Sequence, residues 1–189
     1  MARAELAALA PDNHPARSPM TDALTPDDMD ALFGAHMQAE MDSDLVTTLS
    51  TMAAEPHIFN GPTVIGGEGP DGVRTFYADS LIGQFFPPDV TFTTVSRTHG
   101  TERLVDELVI TFTHTHAIDW MLPGIEPTDL PVSVIFVVIV GFEGHKVAYE
   151  HIYWDQASVL HQLGLLDAER LPVAGAEAAS TLLAMTSRS

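Results

Sequence analysis

The sequence predicts an α+β fold in which three N-terminal helices precede a curved antiparallel sheet. Apolar residues recur with helical spacing in the first half of the chain, whereas from about residue 90 onward they alternate with the period of two that is typical of strands. Helices and strands are segregated along the chain, which favours α+β over a parallel α/β sheet. A strongly curved sheet wrapped around its own helices would enclose one concave pocket.

Composition limits the class of protein. A chain of 189 residues with 46% apolar and 18% charged residues can form one domain with a substantial core. Acidic residues outnumber basic ones by 26 to 8, which gives a net charge of −18, so nucleic acid and anionic membrane surfaces are not expected partners. The sequence contains no cysteine, which excludes disulfides, thiolate catalysis and cysteine-based zinc sites.

The chain divides into three segments by pattern. Residues 1–20 are rich in Ala and Pro without periodicity and predict a flexible N-terminal arm, residues 21–167 predict the folded domain, and residues 168–189 predict a weakly patterned tail. The N-terminus lacks the apolar segment of a secretory signal. The longest apolar run, 134–140, is far shorter than the ~20 residues of a membrane helix. We therefore expect a soluble, cytoplasmic protein.

The first two helices have recognisable starts. Segment 25–28 (TPDD) supplies an N-cap Thr, a Pro at the first helical position and two first-turn acids, and helical spacing continues to about Glu40. Ser43 or Asp44 caps a second, shorter helix that extends to about Ala54.

The remaining elements follow from turn residues and periodicity. The Gly- and Pro-rich segment 60–72 predicts a loop, and the spacing of apolar residues in 73–85 predicts a third helix. A last short helix begins at Asp155 and ends at Gly164. Between them, four stretches alternate with strand periodicity: 90–97, 103–120, 131–142 and 145–154.

Two histidines lie on the apolar face of the second predicted strand. Strand side chains alternate, so His114 and His116 share a face with Phe112 and should point into the pocket. A lone histidine on such a face is usually a core residue. A buried imidazole needs a polar partner, however, and two histidines in register are less readily explained as core residues alone. His114 is therefore a candidate catalytic residue.

The last predicted strand also carries ionisable groups. Glu150 and Trp154 share one face, and Tyr149, His151 and Tyr153 share the other. The residues alone leave open which of the two faces lines the pocket.

Two further positions have competing roles. Asp155 lies where strand becomes helix, a position that favours an N-cap over a catalytic acid, although both roles can coexist. His36 and Glu40 are four residues apart on one helical face, and with His114 and Glu150 they could form a His₂-carboxylate metal site. Pairs with this spacing are commonly hydrogen-bonded surface neighbours, so the prediction is that no metal or cofactor is bound.

Segments 74–89, 96–128 and 150–166 resemble the NTF2-like superfamily and, within it, the SnoaL-like proteins of the polyketide cyclase and ketosteroid isomerase type. The resemblance implies a cone of curved sheet closed by helices, and a homodimer formed through the outer sheet face. It also implies that Glu150 points inward while His151 packs outside with Tyr149 and Tyr153. Because this fold hosts many reactions, the site must identify the function.

The combined prediction is a cofactor-free lyase, isomerase or cyclase. It would perform general acid/base chemistry on a small hydrophobic or aromatic carbonyl or hydroxyl compound, because the sequence shows no strong nucleophile. The candidate catalytic residues are His114, Glu150 and Asp155. The predicted substrate-binding residues are Tyr77, Phe112, His116, Trp120 and Trp154. The alternative is a non-catalytic dimeric ligand-binding or assembly module.

Overall fold

The computed structural model describes residues 23–187, so the predicted N-terminal arm, 1–20, lies outside the described residues. The α+β prediction is confirmed. The elements, in chain order, are α1 (Pro26–Met41), α2 (Leu45–Ser50), β1 (Met52–Asn60), β2 (Ile65–Glu68), α3 (Gly69–Phe76) with a π-helical continuation (Tyr77–Leu81), β3 (Thr91–His99), β4 (Arg103–Thr113), β5 (Pro131–Glu143), β6 (Lys146–Trp154), α4 (Gln156–Gln162) and α5 (Glu177–Thr186).

The six strands form one curved, unclosed sheet in the order β2-β1-β6-β5-β4-β3. Only β1 and β6 run parallel, and every other neighbouring pair is antiparallel. The pairing register shifts in three of the five strand pairs, β1–β6, β3–β4 and β5–β6. Irregularities of this kind bend strands and increase their twist, which helps the sheet to curve around the helices.

The helix starts follow the sequence signals. Thr25 and Asp28 form a capping box, in which the Asp28 N–H donates to Thr25 Oγ1 (3.2 Å) and the Thr25 N–H donates to Asp28 Oδ2 (2.9 Å). Asp44, and not Ser43, caps α2 by accepting the Thr47 N–H at 3.0 Å. This helix ends at Ser50, so the predicted extension to about Ala54 is wrong.

The missing helical residues belong to a strand that the sequence did not reveal. In β1, Ile58 and Asn60 are buried, and the strand pairs with β2 on one side and β6 on the other. Pro56 is tolerated there because the β1–β6 register is interrupted between Met52 and His57. The predicted loop 60–72 likewise contains β2 and the start of α3.

The second predicted strand ends earlier than expected. β4 stops at Thr113, and residues 114–130 form a loop, here called the covering loop. It has tight turns near Ile118, whose carbonyl accepts the N–H groups of Met121 (3.0 Å) and Leu122 (2.7 Å). Ile118, Trp120, Met121 and Leu122 are all buried. Ile118 and Trp120, which were predicted to lie in a strand, are therefore core residues of this loop.

Within residues 23–187, none of the helices combines the length and the apolar character that crossing a bilayer would require. The C-terminal segment, predicted as a tail, contains α5, which buries Ala179.

A close approach between β5 and β6 predicts a stability effect. A Cβ atom added at Gly141 on β5 would lie 2.0 Å from the Tyr149 ring on β6, and that ring is stacked against His57 and His151. We expect Gly141→Ala to lower the free energy of unfolding by about 1–3 kcal/mol, because the ring must be displaced. Urea denaturation measures the change.

Gly34→Ala is the matched control. It lies within α1, where an added Cβ would meet nothing within 4 Å. It should raise the free energy of unfolding by about 0.4–1 kcal/mol, because the unfolded chain loses conformational freedom. Equal stability of the two variants would show that the Gly141 contact is not restrictive.

Candidate active site

Three ionisable side chains meet where α1 packs on the sheet. Nε2 of His36 lies 3.2 Å from Oε1 of Glu40, one helical turn further along α1, and 3.1 Å from Oε1 of Glu150 on β6. All three residues are buried, with exposed fractions of 0%, 2% and 4%. Buried ionisable groups persist when they are paired, and these three pair with one another.

Strand alternation explains why Glu150 reaches this position. Glu150, Ile152 and Trp154 are buried on the inner face of β6, whereas Tyr153 is 41% exposed on the outer face. Tyr149 and His151 stack against each other on that outer face. The inward orientation expected for Glu150 is therefore present in the structure.

The other ring nitrogen of His36 is fixed by Thr51. The two atoms, His36 Nδ1 and Thr51 Oγ1, are 2.5 Å apart. The Thr51 hydroxyl donates its hydrogen to the Thr48 carbonyl at 2.6 Å, so it can only accept from the imidazole. Nδ1 therefore carries a hydrogen, and the charge state of the ring depends on Nε2.

The surroundings of Nε2 favour the charged imidazolium. Burial lowers the pKa of His36, but the negative charges of Glu40 and Glu150 outweigh burial and raise the pKa to about 10. The Nε2 hydrogen is aligned with the Tyr77 hydroxyl, 2.9 Å away. Among the described residues, Oε1 of Glu40 and Oε1 of Glu150 thus lack a hydrogen-bond donor, although both are close to the positive charge.

Glu40 and Tyr77 hold protons more firmly than usual. Burial raises the pKa of Glu40; the charge of His36 opposes this shift, and the charge of Glu150 adds to it. Burial, together with Glu40 and Glu150, also holds the pKa of the Tyr77 phenol well above 10. Near neutral pH, Tyr77 is therefore an uncharged hydroxyl that orients its neighbours.

Both carboxylates reach an internal cavity of about 220 Å³. Its surface is mainly apolar, so a bound molecule would meet a low local dielectric. The aromatic residues of the wall are Phe33, Phe76, Phe85, Phe86, Phe92, Trp120 and Phe136.

A second polar region lies in the cavity wall. Arg97 on β3 binds Asp106 on β4 through two hydrogen bonds of 2.5 Å each and binds Asp30 on α1 at 2.9 Å. Asp106 is 1% exposed, and the guanidinium lies 5.7 Å from the ring centroid of Phe33. Because Asp30 belongs to α1, this cluster ties the helix to the sheet on another side of the cavity.

The structure does not bring His114 to Glu150. His114 follows the end of β4 and is fully buried in the covering loop, where its Nδ1 lies 3.3 Å from the Thr128 hydroxyl and 3.4 Å from the Thr128 N–H. Neither His114 nor His116 is among the residues that line the cavity. Their expected inward position is wrong, because β4 ends before them and the chain turns away.

Asp155 is exposed at the start of α4, where its side chain accepts the Ser158 N–H at 3.0 Å. It acts as the helix cap and does not line the cavity. The indole of Trp154 donates to Asn60 Oδ1 at 2.9 Å and stacks on Phe136, so Trp154 supports the wall from behind.

Of three other predicted substrate-binding residues, one lines the cavity and two do not. Trp120 lines the cavity and donates its indole N–H to the Phe85 carbonyl at 2.9 Å. Phe112 packs on Phe86 outside the lining, and Tyr77 binds His36 without lining the cavity.

The sequence grouped His36 and Glu40 with Glu150 only as possible metal ligands, together with His114, and did not predict the ion-paired trio. The available signal was their position on the apolar face of α1, beside Phe33 and Met37. Two polar residues on a buried helical face require buried polar partners.

The same trio could hold a divalent cation, since its ligand atoms all lie within 4.8 Å of one another. One imidazole and two carboxylates form a ligand set that suits several transition metals. The raised pKa of His36 opposes this, because metal binding would require Nε2 to release its proton.

Comparisons with known proteins concern the fold. No protein-family model and no curated protein matches the sequence. A candidate SnoaL-like polyketide cyclase from Jannaschia sp. CCS1 is similar in structure, with a TM-score of 0.60 and 13% identity, covering 82% of this chain and 100% of that chain.

Two further structures are similar. AclR, a candidate hydroxylase from Streptomyces galilaeus, gives a TM-score of 0.56 at 20% identity and covers 76% of this chain and 100% of its own. A protein from Catenulispora acidiphila with a ketosteroid isomerase-like fold, solved with trimethylamine, gives 0.54 at 17% identity and covers 79% and 100%. At these identities the likeness concerns architecture.

The trio predicts how stability depends on pH. A group whose pKa is higher in the folded than in the unfolded chain stabilises the fold fully below its unfolded pKa and loses this effect as the pH approaches the folded value. For His36 the window extends from about 6.5 to about 10. We expect the free energy of unfolding, measured by urea denaturation, to fall across this range.

His36→Gln should flatten that decline, because the titrating group is gone. His145→Gln, at an exposed histidine of the β5–β6 turn, should retain the wild-type slope. A wild-type slope in His36→Gln would mean that other groups cause the pH dependence.

Proposed function

We propose that this chain, which has the NTF2-like fold, is an enzyme that performs general acid/base chemistry on a small hydrophobic or aromatic carbonyl or hydroxyl compound. The observation that carries the proposal is a buried carboxylate, Glu150, which reaches an apolar cavity while an imidazolium supports it from behind. Lyase, isomerase and cyclase reactions share the proton transfer that such a site can perform.

Glu150 is the proposed general base. It lines the cavity, so its carboxylate can accept a proton from a substrate C–H or O–H bond.

Glu40 is the proposed general acid. It also reaches the cavity, and its raised pKa favours retention of a proton that it can donate to a substrate oxygen. Two carboxyl groups in different surroundings can thus divide the acid and base roles.

His36 is a positioning residue in this proposal. It does not line the cavity, and its contacts with Thr51 and Tyr77 hold the ring between the two carboxylates. Its positive charge lies beside both Glu40 and Glu150 before the reaction. When Glu150 takes up a proton, the same charge remains to stabilise Glu40 as it releases one.

The cavity supports the proposed substrate class. Aromatic walls suit a flat or compact apolar molecule, and the few polar side chains that line it can orient a carbonyl or hydroxyl group. The structural neighbours described as candidate polyketide cyclases and as ketosteroid isomerase-like agree with this reaction class.

The proposal is tested by proton exchange at carbon. The α-protons of 1-indanone, a small aromatic ketone, are followed by ¹H NMR in D₂O with and without protein. We expect wild-type protein to accelerate exchange and Glu150→Gln to reduce this acceleration about 100-fold or more, because the base is removed. Fluorescence of Trp120, in the cavity wall, reports whether the variant still binds the ketone.

Asp155→Asn is the matched control. It replaces another carboxylate at the end of β6, but one that is exposed and caps a helix, and Asn caps equally well. It should exchange at the wild-type rate. Binding without accelerated exchange in the wild type would contradict the enzymatic proposal and support a ligand-binding module.

A further inference from the structure

The wall of the cavity is not covered equally on all sides. Every residue that β1, β4, β5 and β6 contribute to the wall is buried. Among the described residues that line the cavity, the two that are exposed are Gly34 on α1 and Thr94 on β3. The cavity therefore opens to solvent on the side where α1 lies next to β3.

The exposure of Thr94 concerns the inner face of the sheet. Thr94 lies opposite Leu108 in the β3–β4 ladder, and directly paired residues of neighbouring strands share a face. Leu108 is 8% exposed and lines the cavity, so Thr94 also points inward. β3 is the last strand of the sheet, and no other strand of the described chain covers its free edge. Solvent thus reaches the inner face of the sheet at this edge.

A glycine leaves space on the helical side of this gap. A Cβ atom added at Gly34 would meet nothing within 4 Å. Phe33 and Met37, which line the cavity from the same part of α1, are buried and half-buried. The absence of a side chain at residue 34 therefore keeps the space between α1 and β3 open.

A polar bridge fixes one end of the gap. Arg97 on β3 binds Asp30 on α1 at 2.9 Å, and Asp30 lies about one helical turn before Gly34. In the other direction, Glu40 lies six residues beyond Gly34, which is about 9 Å along the helix axis. A molecule that enters beside Gly34 therefore passes along the apolar wall before it reaches the carboxylates.

We propose that small molecules enter the cavity between α1 and the free edge of β3, and that Gly34 is a specificity-determining residue at this entrance. The missing side chain leaves room for a molecule with a ring, whereas a large residue would narrow the opening without contacting the buried trio. The inference rests on the proposed function in one respect, namely that the cavity is the ligand site. It does not require proton transfer there.

Quenching of tryptophan fluorescence by acrylamide, a small uncharged molecule, tests the entrance in the full chain. Trp120 lies in the cavity wall, whereas Trp154, the other tryptophan of the sequence, does not line the cavity. We expect Gly34→Phe to lower the Stern–Volmer constant about twofold, because a ring in the gap hinders access to the cavity. Thr94→Phe, on the opposite side of the gap, should have the same effect and serves as an independent test.

Ala35→Phe is the matched control. Ala35 follows Gly34 on α1, is exposed and does not line the cavity, so quenching should stay at the wild-type level. Circular dichroism establishes that each variant is folded. The inference is overturned if folded Gly34→Phe and Thr94→Phe are both quenched like the wild type, or if Ala35→Phe protects the tryptophans equally.

The outcome is separate from that of the proposed function. Absence of accelerated 1-indanone exchange in the wild type would contradict the acid/base proposal, but protection of Trp120 by the two entrance variants would still establish the entrance. Conversely, wild-type quenching in both variants would refute the entrance while leaving an observed exchange activity intact.

Discussion

The positive charge of His36 between two buried carboxylates is the interaction on which the rest of the site depends. Without it, Glu40 and Glu150 would face each other in an apolar environment with no opposite charge between them. The trio also joins α1 to β6, so it connects the helical layer to the sheet. Removal of one member of a buried ion pair typically costs about 3–5 kcal/mol, because the remaining charge has no partner. Stability and the proposed reactivity thus depend on the same groups.

The apolar cavity strengthens the electrostatic interactions of this charged cluster. Aromatic residues from α1, β3, β5 and the covering loop exclude water from the carboxylates, which strengthens every electrostatic interaction there. Tyr77 and Thr51 restrain the imidazole at its two nitrogens. The proposed proton-transfer groups are therefore held in place before a ligand binds, and the proposed reaction would need little reorganisation.

Strand β6 carries ionisable residues on both faces of the sheet. β6 directs Glu150 into the cavity and His151 to the outer surface, because neighbouring side chains of a strand point in opposite directions. The two environments differ accordingly: the inner one is a mainly apolar cavity, and the outer one is a more open groove beside β2.

Local sequence determined the elements whose signals lie within a few residues, such as the capping box of α1 and the start of α4 at Asp155. Tertiary structure decided what local signals could not contain. β1 is a strand because it pairs with β6, which is distant in sequence, and its own Pro56 argues against that state. Likewise, Glu150 meets His36 and not His114, because β4 ends at Thr113 while the packing of α1 buries His36 against β6. Periodicity gives the face of a residue, but only the packing of distant elements gives its partner.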